Sequence, residues 1–151
     1  MRDTVSQIKF GTDGWRAIIA DTYTLENVKI LTQAVADYLG GGKKVAVGYD
    51  TRFMSGKFAE AAALVLRNNG IEAVLSDRPT PTPALSFAVK LRKLDLGIMI
   101  TASHNPAKYN GLKVVGPGAV PLGGDTGLEE IKKRALGGES IKRAKGRVTR
   151  R

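Results

Sequence analysis

The chain has 151 residues, 42% of them apolar, with no cysteine, one histidine and a formal net charge of +10. That length suits one ordinary domain with a real core, and the composition excludes disulfides, thiolate metal sites and a histidine cluster for zinc. No apolar run approaches the ~20 residues of a membrane span, and the opening MRDTVSQIKF lacks a signal peptide's apolar stretch. A cytoplasmic protein is therefore expected, and any metal would be a hard cation on oxygen ligands. The charge is uneven: nine of the 24 basic residues and one of the 14 acidic ones fall in 132–151, leaving 15 against 13 elsewhere. A block without aromatic residues for base stacking reads as a solvated tail, so neither nucleic acid nor membrane is an expected partner.

In chain order, KFGTDGWRA (9–17) comes first, with two glycines, Asp13 and Arg16. Leu25, Val28, Leu31, Val35 and Leu39 then recur at helical spacing between the possible cap Thr24 and the stop Gly40-Gly41-Gly42. KKVAVGYD (43–50) is a β-branched strand run. A second helix is predicted from Ser55, burying Phe58, Ala62 and Val65 and ending at Gly70. IEAVLSD (71–77) is the next strand, and a third helix takes Thr82 as N-cap with Pro83 at its first position, followed by Leu85 and Val89. LDLGIMITA (94–102) is apolar enough for a strand covered on both faces. A last helix runs from about Asp125, with Glu129 and Glu130 in its first turn and Lys132 to Arg134 near its end, matching the helix dipole. Strands and helices in alternation argue an α/β layered sheet.

In open α/β sheets ligands gather at the carboxyl ends of strands. The segments there are YDTRFMSG, DRPTPTP and TASHNPAKYNG, each rich in hydroxyls, amides or cations. None is a P-loop or a dinucleotide fingerprint. If residues 101–104 are extended, Ser103 and His104 point to opposite faces, which leaves the imidazole badly placed as the serine's base. No G-x-S-x-G elbow surrounds Ser103 either. The loop does offer a hydroxyl at a strand end, an Asn105 held extended by Pro106, and Lys113 and Arg16 as possible phosphate partners. That set suits a serine that carries a phosphoryl group. The plain alternatives are a turn serine, a surface histidine, a strand-surface Lys113, and an Arg16 paired with Asp13 or Asp50. Arg52 reads as a brace between loops.

TASHNPAKYNGLK resembles the phosphoserine loop of the α-D-phosphohexomutases, the phosphoglucomutase/phosphomannomutase family, with lysine ten positions after serine. KFGTDGWRA resembles that family's N-terminal G-T-x-G-x-R segment, GYDTRFMSG its second-strand motif and PTPTP its third. The resemblance implies the family's domain I over 1–137, a three-layer α/β/α fold with a mixed, mostly parallel sheet; residues 138–151, which no motif covers, are expected from their composition to be a mobile basic tail or linker start. It implies that Ser103 gives its phosphoryl group to a hexose monophosphate, forming a bisphosphate that reorients and returns the other phosphate. Lys113 and Arg16 would flank the transferring group, His104 would join them in the catalytic set, and Asn105 and Thr101 would bind substrate or phosphate. The implied cofactors are Mg2+ on the Ser103 phosphate and a hexose 1,6-bisphosphate activator; the implied partners are a phosphorylated hexose and the remaining mutase domains.

The resemblance also has a gap. The family's D-G-D-x-x-R metal loop belongs to a second domain, and no D-x-D occurs among the eight aspartates here. The expectation is that this chain alone is inactive. The alternative is a noncatalytic domain that binds a phosphosugar or assembles with partner domains.

Overall fold

The computed structural model describes residues 8–9, 14–120, 122 and 127–136, so Asp13, Asp125 and the expected tail at 138–151 lie outside the described residues. In chain order the elements are β1 (Gly14–Ile18), α1 (Leu25–Leu39), β2 (Lys44–Tyr49), α2 (Ser55–Asn68), β3 (Glu72–Leu75), α3 (Thr82–Leu91), β4 (Leu96–Ile100), β5 (Tyr109–Val115) and α4 (Leu128–Leu136). The five strands form one mixed sheet in the order β1-β5-β4-β2-β3. β2 pairs parallel with β3 and β4, whereas β5 runs antiparallel to both β4 and β1. Four strands thus share a direction and β5 alone is reversed.

The period-2 alternation of each strand sorts its side chains between two apolar layers. Val45 and Val47 of β2 and Leu96, Ile98 and Ile100 of β4 join the larger core, beneath helices that carry Val28, Leu31, Phe58, Leu66 and Ile131. Ala46 and Met99 face the other way and pack with Leu85 and Val89 of α3 and with Leu94. α1 packs on α2 and α4, while α3 lies on β2 and β4, so the expected α/β/α layering holds. β4 is buried at all five positions, as its unbroken apolar run predicts. On the α3 face Gly97 lets the helix come close, since a Cβ there would come within 2.8 Å of Val89 Cγ2.

The helices start and stop largely where expected. Thr24 caps α1 by accepting a hydrogen bond from Asn27 N, and Gly40 ends it at φ 80°. α3 differs by one residue: Pro81 is its N-cap, and the Pro81 carbonyl accepts from the Ala84 and Leu85 amides. Thr82 is therefore the first helical residue and caps nothing. With Pro81 fixed near φ −73° and unable to donate, the Pro-Thr-Pro sequence enters the helix one position early.

The chain leaves β2 through α2 to β3 on one side, then returns through α3 to β4 on the other. β2 and β4 are adjacent parallel strands, so the loops that follow them meet at the carboxyl edge of the sheet, where open α/β sheets place their ligands. Asp50 and Arg52 follow β2 there, and Thr101 to Asn105 follow β4.

Candidate functional site

Ser103 sits in the loop after β4, in the left-handed region, with φ 52°. The extended conformation considered for residues 101–104 is thus not adopted; residues 103 and 104 form a turn. Left-handed backbone costs a non-glycine residue ~1–2 kcal/mol, and such residues persist where their surroundings hold them. Here the surroundings are explicit. The Arg52 guanidinium donates from Nη2 to the carbonyls of Ser103 (2.9 Å) and Asn105 (2.6 Å), and from Nη1 to those of Pro106 (2.8 Å) and Tyr109 (3.1 Å). Its Nε faces Asp50 Oδ2 at 3.4 Å. With its N–H groups engaged in this way, Arg52 braces the loop and is not left to grip a ligand.

Asp50 ties the other side. Its Oδ1 accepts from the Arg52 amide (3.0 Å) and from Ser55 Oγ (2.7 Å), and its Oδ2 accepts from Thr101 Oγ1 (2.7 Å). Thr101 Oγ1 in turn accepts from the Ser103 amide at 3.1 Å. Thr101, expected at the phosphate, is 5% exposed, and its hydroxyl serves within the loop. Beneath lies Asn110, fully buried, donating to Ser55 Oγ at 2.8 Å and accepting from the Gly111 amide at 2.8 Å. Every buried polar group in this network has a partner, as burial demands.

Arg16 lies on β1 opposite Gly111 and Lys113 lies on β5 opposite Gly14, so both belong to one face of this antiparallel pair. It is the face away from Trp15, Leu112 and Val114, which enter the larger core. Arg16 is exposed and its Nη1 donates to Asn105 Oδ1 at 2.9 Å, joining β1 to the Ser103 loop. Its pairing with Asp50 is not found: that carboxylate is held by Arg52. Lys113 stands level with Met99, two residues below Thr101 in the sheet. His104 is exposed in the turn, beside Ser103.

A stacked pair, Trp15 and Tyr23 (ring centroids 4.5 Å apart), with Phe58 edge-on to Tyr23 (4.7 Å), supports the site from below. Tyr23 donates to the Gly111 carbonyl at 2.8 Å. Burial, and secondly the charge of Asp50, push its hydroxyl well above the usual phenol range. Gly111 is required by close approach: a Cβ there would lie 2.6 Å from the Thr101 carbonyl oxygen and 2.7 Å from that of Trp15.

The family and the fold are matched by comparison. Residues 7–142 match the family described as phosphoglucomutase/phosphomannomutase, alpha/beta/alpha domain I. The chain belongs to that family. Its relatives include the phosphoglucomutase of Staphylococcus saprophyticus, 41% identical over 71% of this chain and 20% of that protein. The phosphoglucosamine/phosphogalactosamine mutase of Sulfurisphaera tokodaii is 43% identical over 70% of this chain and 23% of its own length. Among solved structures, a phosphoglucomutase/phosphomannomutase family protein from Burkholderia thailandensis gives a TM-score of 0.70 at 25% identity, covering 91% of this chain and 31% of that one. A chain from Thermus thermophilus gives 0.81 at 39%, covering 85% and 30%. The chain thus spans about a fifth to a quarter of these curated mutases.

Asp50, Ser55 and Asn110 are the site residues that sequence reasoning passes over. An aspartate two positions before the bracing arginine, and an asparagine inside the β-run YNGLKVV, are the available signals.

Proposed function

We propose that Ser103 is the phosphoryl carrier of a cytoplasmic phosphohexomutase that interconverts hexose 1- and 6-phosphates through a bisphosphate. The observation that carries this reading is the posture of Ser103: left-handed, in the loop after β4 beside the loop after β2, with its own N–H and C=O engaged by neighbours. Its backbone is held while its hydroxyl projects from a turn. In the proposed step the bond from Ser103 Oγ to phosphorus breaks as one forms from the sugar oxygen, and the sugar's proton ends on Ser103 Oγ. Such transfer is catalysed mainly by positioning and by cations around the equatorial oxygens. Arg16, already bonded to Asn105 at the loop, is the cation best placed to meet the phosphoryl group, with Lys113 on the same face. His104 and Asn105 border the substrate.

The described residues do not make a magnesium site by themselves. No three His, Cys, Asp or Glu side chains come together among them, and both oxygens of Asp50 are already engaged. Mg2+ belongs to the proposal only as an ion bound to a Ser103 phosphate with its other ligands from a further mutase domain, and no step is derived through it. Turnover by this chain alone is accordingly not part of the proposal.

The test is phosphoryl uptake. Incubation with glucose 1,6-bisphosphate and magnesium, followed by intact-mass measurement and peptide mapping, should add one phosphoryl group at Ser103 that Ser103→Ala cannot take up. Phosphate mapped to Ser55 or Thr101 instead would overturn the assignment. Fragments carrying the remaining domains should then restore Ser103-dependent hexose phosphate conversion in a coupled dehydrogenase assay; uptake without such recovery would favour the noncatalytic alternative.

A further inference from the structure

Both peptide groups that set the posture of Ser103 lead back to one carboxylate. The Ser103 amide is held by Thr101 Oγ1, and that hydroxyl donates its proton to Asp50 Oδ2. The Ser103 carbonyl is held by Arg52 Nη2, and the same guanidinium faces Asp50 Oδ2 through Nε, while the Arg52 amide donates to Asp50 Oδ1. Asp50 also accepts from Ser55 at the start of α2, which connects it through Asn110 to β5. An ionised carboxylate accepts at both oxygens and attracts the guanidinium, and both properties are used here. Asp50 touches neither Ser103 Oγ nor the loop's outer surface, so it acts only through Thr101 and Arg52.

We infer that Asp50 is the positioning residue of the site: its negative charge, relayed by Thr101 on one side and Arg52 on the other, keeps Ser103 left-handed and its hydroxyl presented. The inference rests on the reading of Ser103 as carrier for its consequence, and on the hydrogen bonds alone for its geometry. An asparagine at 50 has nearly the same volume but carries no charge. Its amide nitrogen cannot accept from Thr101 or Arg52.

The experiment uses the 151-residue chain and two readouts: amide exchange by NMR at Ser103, and the rate of phosphoryl uptake from glucose 1,6-bisphosphate. Asp50→Asn and Thr101→Val should each raise exchange at the Ser103 amide by about 10-fold or more, with β4 amides unchanged. Uptake should slow by about 100-fold, the scale on which small misplacements act. Thr101→Ser, which restores the hydroxyl, should recover most of what Thr101→Val loses. Thr24→Ala, which weakens a distant helix cap, serves as the control for general destabilisation and should leave exchange at Ser103 relative to β4 unaltered. If Asp50→Asn keeps Ser103 exchange within about twofold of the parent chain, the inference is wrong, whatever Thr101→Val does. Should Asp50→Asn fail to fold, Asp50→Ser, which keeps an acceptor oxygen but no charge, is read in its place by the same criterion. Should neither the parent chain nor its mixture with a fragment carrying the remaining domains place phosphate on Ser103, the carrier reading fails, and the exchange comparison still decides whether Asp50 sets the loop.

Discussion

Replacing Arg52 with methionine keeps the stem and deletes the guanidinium, so the loss is one of hydrogen bonds rather than of packing. Four carbonyl bonds at ~1 kcal/mol each give ~4 kcal/mol. The Pro106 and Asn105 carbonyls belong to exposed and half-exposed residues, and water can replace the donor there, which leaves ~2 kcal/mol. The Asp50 carboxylate, whose side chain is 22% exposed, loses its cation at a further cost of ~1 kcal/mol. The sum is about 3 kcal/mol, or about 10 °C in Tm for a chain of this size. Urea unfolding measures the first figure and thermal unfolding the second. Amide exchange locates the loss, because Asn105 N to Ala102 O and Tyr109 N to Pro106 O are the turns that the guanidinium holds. Arg52→Lys keeps the charge but offers one ammonium to carbonyls that a planar fork had spanned, and should fall between, at ~1–2 kcal/mol. A loss below ~1 kcal/mol for Arg52→Met, or unchanged exchange at Asn105 and Tyr109, would refute the bracing role.

Other perturbations probe the layers beneath. Tyr23→Phe removes the bond to the Gly111 carbonyl and should cost ~1 kcal/mol at neutral pH by urea unfolding. Because the folded phenol titrates above the unfolded one, the unfolded chain loses its proton first and stability falls as pH rises past ~10; Tyr23→Phe should show a shallower alkaline decline, and an equal slope would contradict the burial argument. Gly111→Ala must push a methyl against the Thr101 and Trp15 carbonyls and should cost ~2 kcal/mol or more, seen as a lowered Tm with faster exchange at the Thr101 amide, which pairs with the Gly111 carbonyl. Thr24→Ala should cost ~1 kcal/mol through loss of the α1 cap, and circular dichroism melts suffice to check it.

Much of this molecule is legible in its residues, and the exceptions are instructive. The spacing of Leu25, Val28, Leu31 and Val35 places α1, and the continuous apolar run places β4, because burial period is a local signal. The three motifs that follow strands, YDTRFMSG, DRPTPTP and TASHNPAKYNG, point to the carboxyl edge of the sheet. Ser103 in a left-handed turn is not legible, since serine has no intrinsic preference for that region and only Arg52 and Thr101 hold it there. The Asp50–Thr101 bond joins residues 51 positions apart, and no local pattern reveals it. The α3 cap escapes a sequence reading because threonine before proline looks like a cap, while Pro81 has already set the chain direction. β1 and β5 each carry a glycine and lack an unbroken apolar run, and β5 is held by pairing with both β1 and β4.

The four Arg52 bonds that shape the Ser103 loop join residues 51 to 57 positions apart. None can form before β2 and β4 are side by side, since closing loops of that length is costly until sheet pairing has fixed their ends. The loop is therefore a late event on the folding path, with its interactions largely absent from the transition state. Substitutions at Arg52 should then accelerate unfolding and leave the folding rate almost untouched. The protein can vary the geometry around Ser103 while the route by which the chain folds stays the same.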